Sequence, residues 1–327
     1  MAVRLALNAV AIAVAIAAPE MARSAPLSFL DEDTGPAWRL ADVDRDATRT
    51  MSVPYETTDA THNGTLVWST GKRGEDAADV LPLVLIAPDF DGVGAFELQQ
   101  AARLASEGYV AFVLDTYGTA VPQGSAFDRT DPDARPRMGR FHANSSAMWR
   151  EATLAGKDAA LTAAVYANVW TGAYAGNFMG SAADNVRIGL YGYCFGAKGA
   201  VALARLPPVE LKEMGFRVLA GFHPGDPNGD GTMAFAPDER DGEAVRLLVL
   251  NGDVDDGWTD AEREKFSKEL AGAGTWLDFS VITLGRDVPH AWTEPGRTDR
   301  YREVADRDSW AMALSALQSG VAAPLGA

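Results

Sequence analysis

The chain of 327 residues is long enough for one large domain or two ordinary ones, and its 47% hydrophobic content suffices for a sizeable core. Twenty-nine basic residues against 45 acidic ones leave a formal charge of −16 and a pI near 4.6. Such a field repels phosphate backbones, so no nucleic-acid partner is expected. Past the N-terminal segment no run of 18 apolar residues occurs, which argues against a membrane partner as well.

At the N-terminus Arg4 precedes an apolar stretch, residues 5–18, and small residues follow. This is the order of a cleavable export signal, so residues 1–23 are read as a signal or targeting leader. The protein is then exported (secreted, periplasmic or in the secretory-pathway lumen) if the leader is removed, and soluble and intracellular otherwise. Residues 24–50 are polar and read as a loosely ordered arm, and residues 51–320 as one domain. The β-prone segments 51–58 and 65–70 flank Asn63-Gly64, the strongest short hairpin signal. The triplets Asn63-Gly64-Thr65 and Asn144-Ser145-Ser146 fit a glycosylation acceptor, relevant only in a eukaryotic secretory pathway.

Strands and helices then alternate. Residues 81–87 are a continuous apolar run, as a strand buried on both faces requires. Residues 96–107 carry a helical apolar stripe stopped by Gly108, and 109–115 form the next strand. A polar loop, 117–140, leads to a helix over 147–170. Strands are predicted at 187–191, 217–222, 246–250 and 277–284, and helices at 197–206, 260–271 and 302–319. With the leading hairpin this makes eight strands in a mostly parallel sheet covered by helices on both faces. Ligands on such sheets bind at the carboxyl ends of the strands.

Polar residues at those ends carry the chemistry. Cys194, the only cysteine, stands in Gly192-Tyr193-Cys194-Phe195-Gly196 between a strand and a helix, where the nucleophile elbow G-x-S-x-G carries its serine. A lone thiol is commonly inert packing, but this turn directs the side chain out of the core. One cysteine also rules out an internal disulfide and a disulfide-exchange role. His290 follows the eighth strand and can raise the thiolate fraction, then return the proton to a leaving group. Of the other histidines, His62 is placed at the surface in the hairpin turn, His142 far from the strand ends, and His223, after the sixth strand, as a satisfied structural residue. The acid that orients His290 comes from the loop after the seventh strand, where Asp253, Asp255 and Asp256 are equally eligible by order; Asp260 reads as the N-cap of the next helix. The oxyanion hole is assigned to the amides of Phe195 and, from the loop after the third strand, Phe90.

At these residues the chain resembles the dienelactone hydrolase family. The resemblance rests on the Cys194 elbow, on Gly108-Tyr109-Val110 with Leu114-Asp115-Thr116-Tyr117-Gly118, on Gly252-x-x-Asp255-Asp256 and on Pro289-His290-Ala291-Trp292, and spans about residues 50–318. It implies an α/β-hydrolase fold, a three-layer sandwich around the eight-stranded sheet, and a carboxylic-ester hydrolase needing no cofactor and no metal. It implies Cys194 as nucleophile, His290 as base and Asp255 as acid. It further implies that Asp89 fills the position of the family's glutamate, which contacts the resting thiol and helps activate it; Asp89 is shorter by one methylene. The two arginines with which dienelactone-cleaving members hold a substrate carboxylate are absent. Tyr117-Gly118-Thr119-Ala120 and Ala291-Trp292-Thr293-Glu294 stand there, leaving Arg135, Arg137 or Arg297 as the nearest loop substitutes. A neutral small-molecule ester or lactone, in a pocket of Tyr117, Trp258 and Trp292, is therefore expected, with the protein a monomer or homodimer. The alternative is a catalytically silent binding protein on the same fold. Asp226-Pro227-Asn228-Gly229-Asp230-Gly231 begins like a calcium loop, but Pro237 replaces the bidentate glutamate, so it reads as an acidic surface loop.

Overall fold

The computed structural model describes residues 27–32, 36–72, 81–128, 130–143, 145–167, 169, 187–225, 244–271 and 277–321. The leader, the calcium-like segment 226–231 and Asn144 lie outside the described residues. Eight strands form one sheet in the order β1-β2-β4-β3-β5-β6-β7-β8. β1 (Thr48–Glu56) and β2 (Thr61–Ser69) pair antiparallel, and β2 runs antiparallel to β4 (Val110–Val113). The remaining pairs, through β3 (Leu83–Ala87), β5 (Ile188–Tyr193), β6 (Phe216–Phe222), β7 (Val245–Gly252) and β8 (Leu277–Leu284), are parallel.

Alternation along the strands splits the core into two halves. Leu83, Leu85, Leu190 and Leu219 point to one face, where Trp149 of α3 (Ser145–Tyr166), Leu203 of α4 (Phe195–Ala204), Leu211 of α5 (Pro208–Glu213) and Phe266 of α6 (Asp260–Ala271) cover them. Val84, Ile86, Val218 and Ala220 point to the other, against Leu104 of α1 (Ala95–Ser106) and Leu317 of α7 (Glu303–Gly320). This is the three-layer α/β-hydrolase arrangement. Among the described residues no helix is long and apolar enough to cross a membrane.

The structure departs from the sequence reading at three places. The hairpin turn is residues 57–60, and Asn63-Gly64 lies inside β2 opposite Val53 and Pro54. Gly64 is there because a Cβ would come within 2.3 Å of the Phe112 ring, so the glycine serves packing and not a turn. His62 is correspondingly buried, stacked on Tyr55 and within 2.8 Å of Thr57 Oγ1. The described part of the arm is packed: Phe29 and Leu30 are buried, Phe29's carbonyl accepts from Gln99 Nε2, and Arg39 meets Asp306 of α7 at 3.2 Å. The loop over 117–140 contains α2 (Ala134–Ala143), which includes residue 142.

Candidate active site

β5 ends at Tyr193 and α4 begins at Phe195, so a single residue makes the turn. Cys194 has φ 49° and ψ −105°, left-handed backbone that a side-chain-bearing residue adopts only under constraint. The constraint is visible on both sides. A Cβ on Gly192 would stand 2.2 Å from the Gly196 carbonyl oxygen, and one on Gly196 2.1 Å from that of Ala87. The Cys194 N–H donates to the Phe222 carbonyl at 2.9 Å, and its own carbonyl accepts from Ala197 and Lys198 at the head of α4. The thiol is thereby left half-buried at the carboxyl edge of the sheet.

The structure brings three of the predicted residues into one chain. His290 Nε2 lies 3.1 Å from Cys194 Sγ, and His290 Nδ1 lies 3.0 Å from Asp255 Oδ2. The second Asp255 oxygen accepts the Gly257 N–H at 2.8 Å, which fixes the carboxylate's rotation. Burial works against a charge on His290, but its hydrogen bonds to Asp255 and to the sulfur outweigh it and push the imidazole up to about 10. The charged ring is thus held between the Asp255 carboxylate and the Cys194 sulfur.

The neighbouring aspartates have other work. Asp253 accepts the backbone N–H groups of Arg286, Asp287 and Val288 (3.0, 3.3 and 2.7 Å) and so holds the loop that delivers His290. Asp256 is exposed, 3.7 Å from Arg300. Asp260 is the first residue of α6 and not its cap; Thr259 and Glu262 make the reciprocal capping contacts.

His223 has φ 43° and is fully buried, with Nε2 2.7 Å from Thr293 Oγ1 and its ring edge-on to that of His290 at 5.1 Å. Burial, then the neighbouring His290, holds it well below the usual histidine range, so it is neutral. Its place directly after the sixth strand makes it a rival of His290 in the sequence, and the structure puts a ring nitrogen of it within 4.8 Å of the Cys194 sulfur.

Asp89 is buried, and its hydrogen bonds run to Asp91 (2.9 Å) and Glu97 (3.4 Å) and not to Cys194. Burial first, then Asp91, Glu97 and Glu294, raise its carboxyl well above the usual range. The expected contact with the resting thiol is therefore corrected: the shorter side chain stays within an acidic group, and burial also pushes Glu97 up to about 8. Glu294 is ion-paired to Arg297, whose guanidinium lies 5.3 Å over the Phe90 ring.

A cleft of about 430 Å³ opens at the thiol, walled by Phe90, Met138 and Phe195 with Lys198, Gly225, Gly257 and His290. The expected Trp258, Trp292 and Tyr117 do not line it. Trp258 is fully buried against Phe266 beneath α6. Trp292 is fully buried with its Nε1 toward Ser309 of α7. Tyr117 lies one layer back, its hydroxyl donating to the Phe90 carbonyl at 2.7 Å and its ring stacked between Phe127 and Phe195. Among the described residues, two groups of side chains have metal-ligating geometry, Cys194 with His223 and His290, and Asp89 with Asp91 and Glu97.

Residues 73–320 match the model of the dienelactone hydrolase family. No curated protein sequence matches the chain significantly. Among solved structures, a dienelactone hydrolase-like promiscuous phosphotriesterase from metagenomic libraries superposes with a TM-score of 0.59 at 22% identity, covering 83% of this chain and 98% of that one. A protein named m3DLH gives 0.59 at 20% identity, covering 84% and 99%. The dipeptidyl peptidase 4 of Porphyromonas gingivalis gives 0.52 at 13% identity, covering 84% of this chain but 36% of its own. These likenesses establish the fold.

Proposed function

Since the chain belongs to the dienelactone hydrolase family and is a carboxylic-ester hydrolase, we propose that it cleaves a small ester or lactone through Cys194 and an acyl-cysteine intermediate. The observation that carries this reading is the unbroken contact chain from Cys194 Sγ through His290 to Asp255, at 3.1 and 3.0 Å. In the proposed cycle the sulfur attacks the carbonyl carbon, and the oxyanion forms against the Phe90 and Phe195 amides, both residues being at the cleft. His290 gives its proton to the departing alkoxide, then takes one from the water that frees the acyl group. Asp255 fixes the tautomer throughout and steadies the imidazolium.

The cleft has the volume of a small-molecule site, and Phe90, Met138 and Phe195 give it an apolar wall suited to an acyl chain. A two-arginine clamp for a substrate carboxylate finds no support here. Arg137 is turned away to Asp59, Arg297 is paired to Glu294, and Arg135 is exposed. We test the reading with p-nitrophenyl esters and lactones of increasing acyl length. Cys194→Ala is expected to lower kcat by at least about 10³-fold, and rapid quenching of the wild type is expected to trap an acyl adduct on Cys194 by mass spectrometry. Undiminished turnover by Cys194→Ala would sink the proposal.

A further inference from the structure

Two imidazoles flank the Cys194 sulfur, and only one of them belongs to the proposed hydrolytic chain. One ligating atom of each of Cys194, His223 and His290 lies within 4.8 Å of the other two. With Zn–S of about 2.3 Å and Zn–N of about 2.0–2.1 Å, the ligand atoms of a tetrahedral zinc site stand roughly 3.3–3.7 Å apart. Closing the present triangle onto an ion needs at most about 1.5 Å of movement on those distances, and the Sγ–Nε2 edge is already 3.1 Å.

The surroundings of both rings have the form that metal-binding histidines require. Such a histidine donates its second ring N–H to a carboxylate or another oxygen, which sets the tautomer and aims the ligating lone pair. His290 has Asp255 Oδ2 at Nδ1, leaving Nε2 toward the sulfur. His223 has Thr293 Oγ1 at Nε2, and its Nδ1 is buried with no hydrogen-bond partner beyond its own backbone. A fully buried ring nitrogen that reaches no residue but its own takes no part in the hydrolytic chain. When Nε2 donates to Thr293, Nδ1 carries a lone pair, and a His223 ring nitrogen lies within 4.8 Å of the thiol sulfur and of a His290 ring nitrogen.

We propose that Cys194, His223 and His290 form a three-ligand site for a soft divalent transition-metal ion such as Zn²⁺, its fourth position open to the cleft, and that occupation silences the hydrolase by engaging its nucleophile and base together. The donor set of one thiolate and two neutral imidazoles matches zinc and its neighbours and not calcium or magnesium. On binding, the metal–sulfur and metal–nitrogen bonds form as the protons held by the sulfur and the His290 imidazolium leave to solvent, with no change of oxidation state.

The test uses the full metal-free chain and needs no turnover, so it stands or falls separately from the ester-hydrolase reading. Zn²⁺ is titrated against a chromophoric chelator, Co²⁺ is added as a spectroscopic substitute, and Cys194 alkylation by iodoacetamide is followed with and without metal. The expected result is one ion per chain, a thiolate-to-cobalt charge-transfer band lost in Cys194→Ser, and protection of Cys194 that EDTA reverses. His223→Gln is expected to weaken binding at least about 10–100-fold, and Thr293→Val, which leaves all three ligands in place, about tenfold. Thr293→Val also serves as the second variant if His223→Gln does not fold. Wild-type protein that binds no stoichiometric ion, or variants at residues 223 and 293 that bind as tightly as wild type, would overturn the proposal.

Discussion

His290 draws its basicity from a carboxylate that no water reaches. The Asp255 side chain has 0% exposure; burial works against the charge on His290, and the hydrogen bonds and charges of Asp255 and Cys194 together outweigh it and hold the ring at about 10. The sign of the effect follows. The carboxylate favours the charged ring, so neutralising it in Asp255→Asn lets the imidazolium release its proton at lower pH, and the charged ring is lost from the alkaline side inward. By NMR the ring of His290 is expected to titrate near pH 10 in the wild type and clearly lower in the variant, with kcat falling by about 10⁴ as the tautomer is lost. An unchanged titration would show that Asp255 does not set the ring's charge. Of these residues, Cys194 was legible because a strand, a one-residue turn and a helix leave a periodic trace in the sequence, and His290 because it follows the last strand. The choice among Asp253, Asp255 and Asp256 was not, apart from family resemblance. It depends on which carboxylate the 286–288 amides capture, and that contact spans more than thirty residues.

Elements were legible to the extent that their signals were local. The central parallel strands β3, β5 and β6 announced themselves as apolar runs because both faces are buried. Asn63-Gly64 misled for the converse reason: its dipeptide signal is that of a turn, while the need for glycine arises from Phe112 on a neighbouring strand. Trp258 and Trp292 misled similarly, since adjacency to a site residue says nothing about which way a side chain points across a sheet edge. The glycine argument is testable on β2. In Gly64→Val the new side chain meets the Phe112 ring and the Val113 carbonyl oxygen, and overpacking of this kind costs about 1–3 kcal/mol. Urea denaturation is expected to show that loss. A paired Phe112→Leu substitution should recover part of it, whereas no recovery would mean that the strand and not the ring resists the side chain.

On the scale of the molecule, the polar N-terminal segment is stitched to the C-terminal helix. The Arg39 and Asp306 side chains are each 3% exposed, and the Arg39 guanidinium also sits 5.3 Å from the Phe96 ring centroid. Removing one member of a buried pair strands the other, at a cost of about 3–5 kcal/mol. Burial already raises Asp306, with Arg39 and Arg103 opposing. In Arg39→Met the carboxyl rises further, so the folded state binds its proton more tightly than the unfolded chain does. The deficit is then greatest at neutral pH and shrinks as acid protonates Asp306. Chemical denaturation at pH 7 and pH 5 measures this; equal deficits at both would assign the loss to packing alone.

Asp59 occupies the turn at the sheet's outermost hairpin and reaches Arg137 and Arg140 of α2 at 3.4 and 2.8 Å. Between those two arginines α2 carries Met138, part of the apolar wall of the cleft. The hairpin is thus a mooring, and the helix rides from it like a boat that must not drift from the quay. Cutting that line in Asp59→Asn should leave the sulfur and its partners in register, with kcat for the shortest esters within about twofold, while KM rises as the acyl chain lengthens and leans on Met138. Tolerance of acyl length would then be set from the far margin of the sheet, by a residue that substrate never meets.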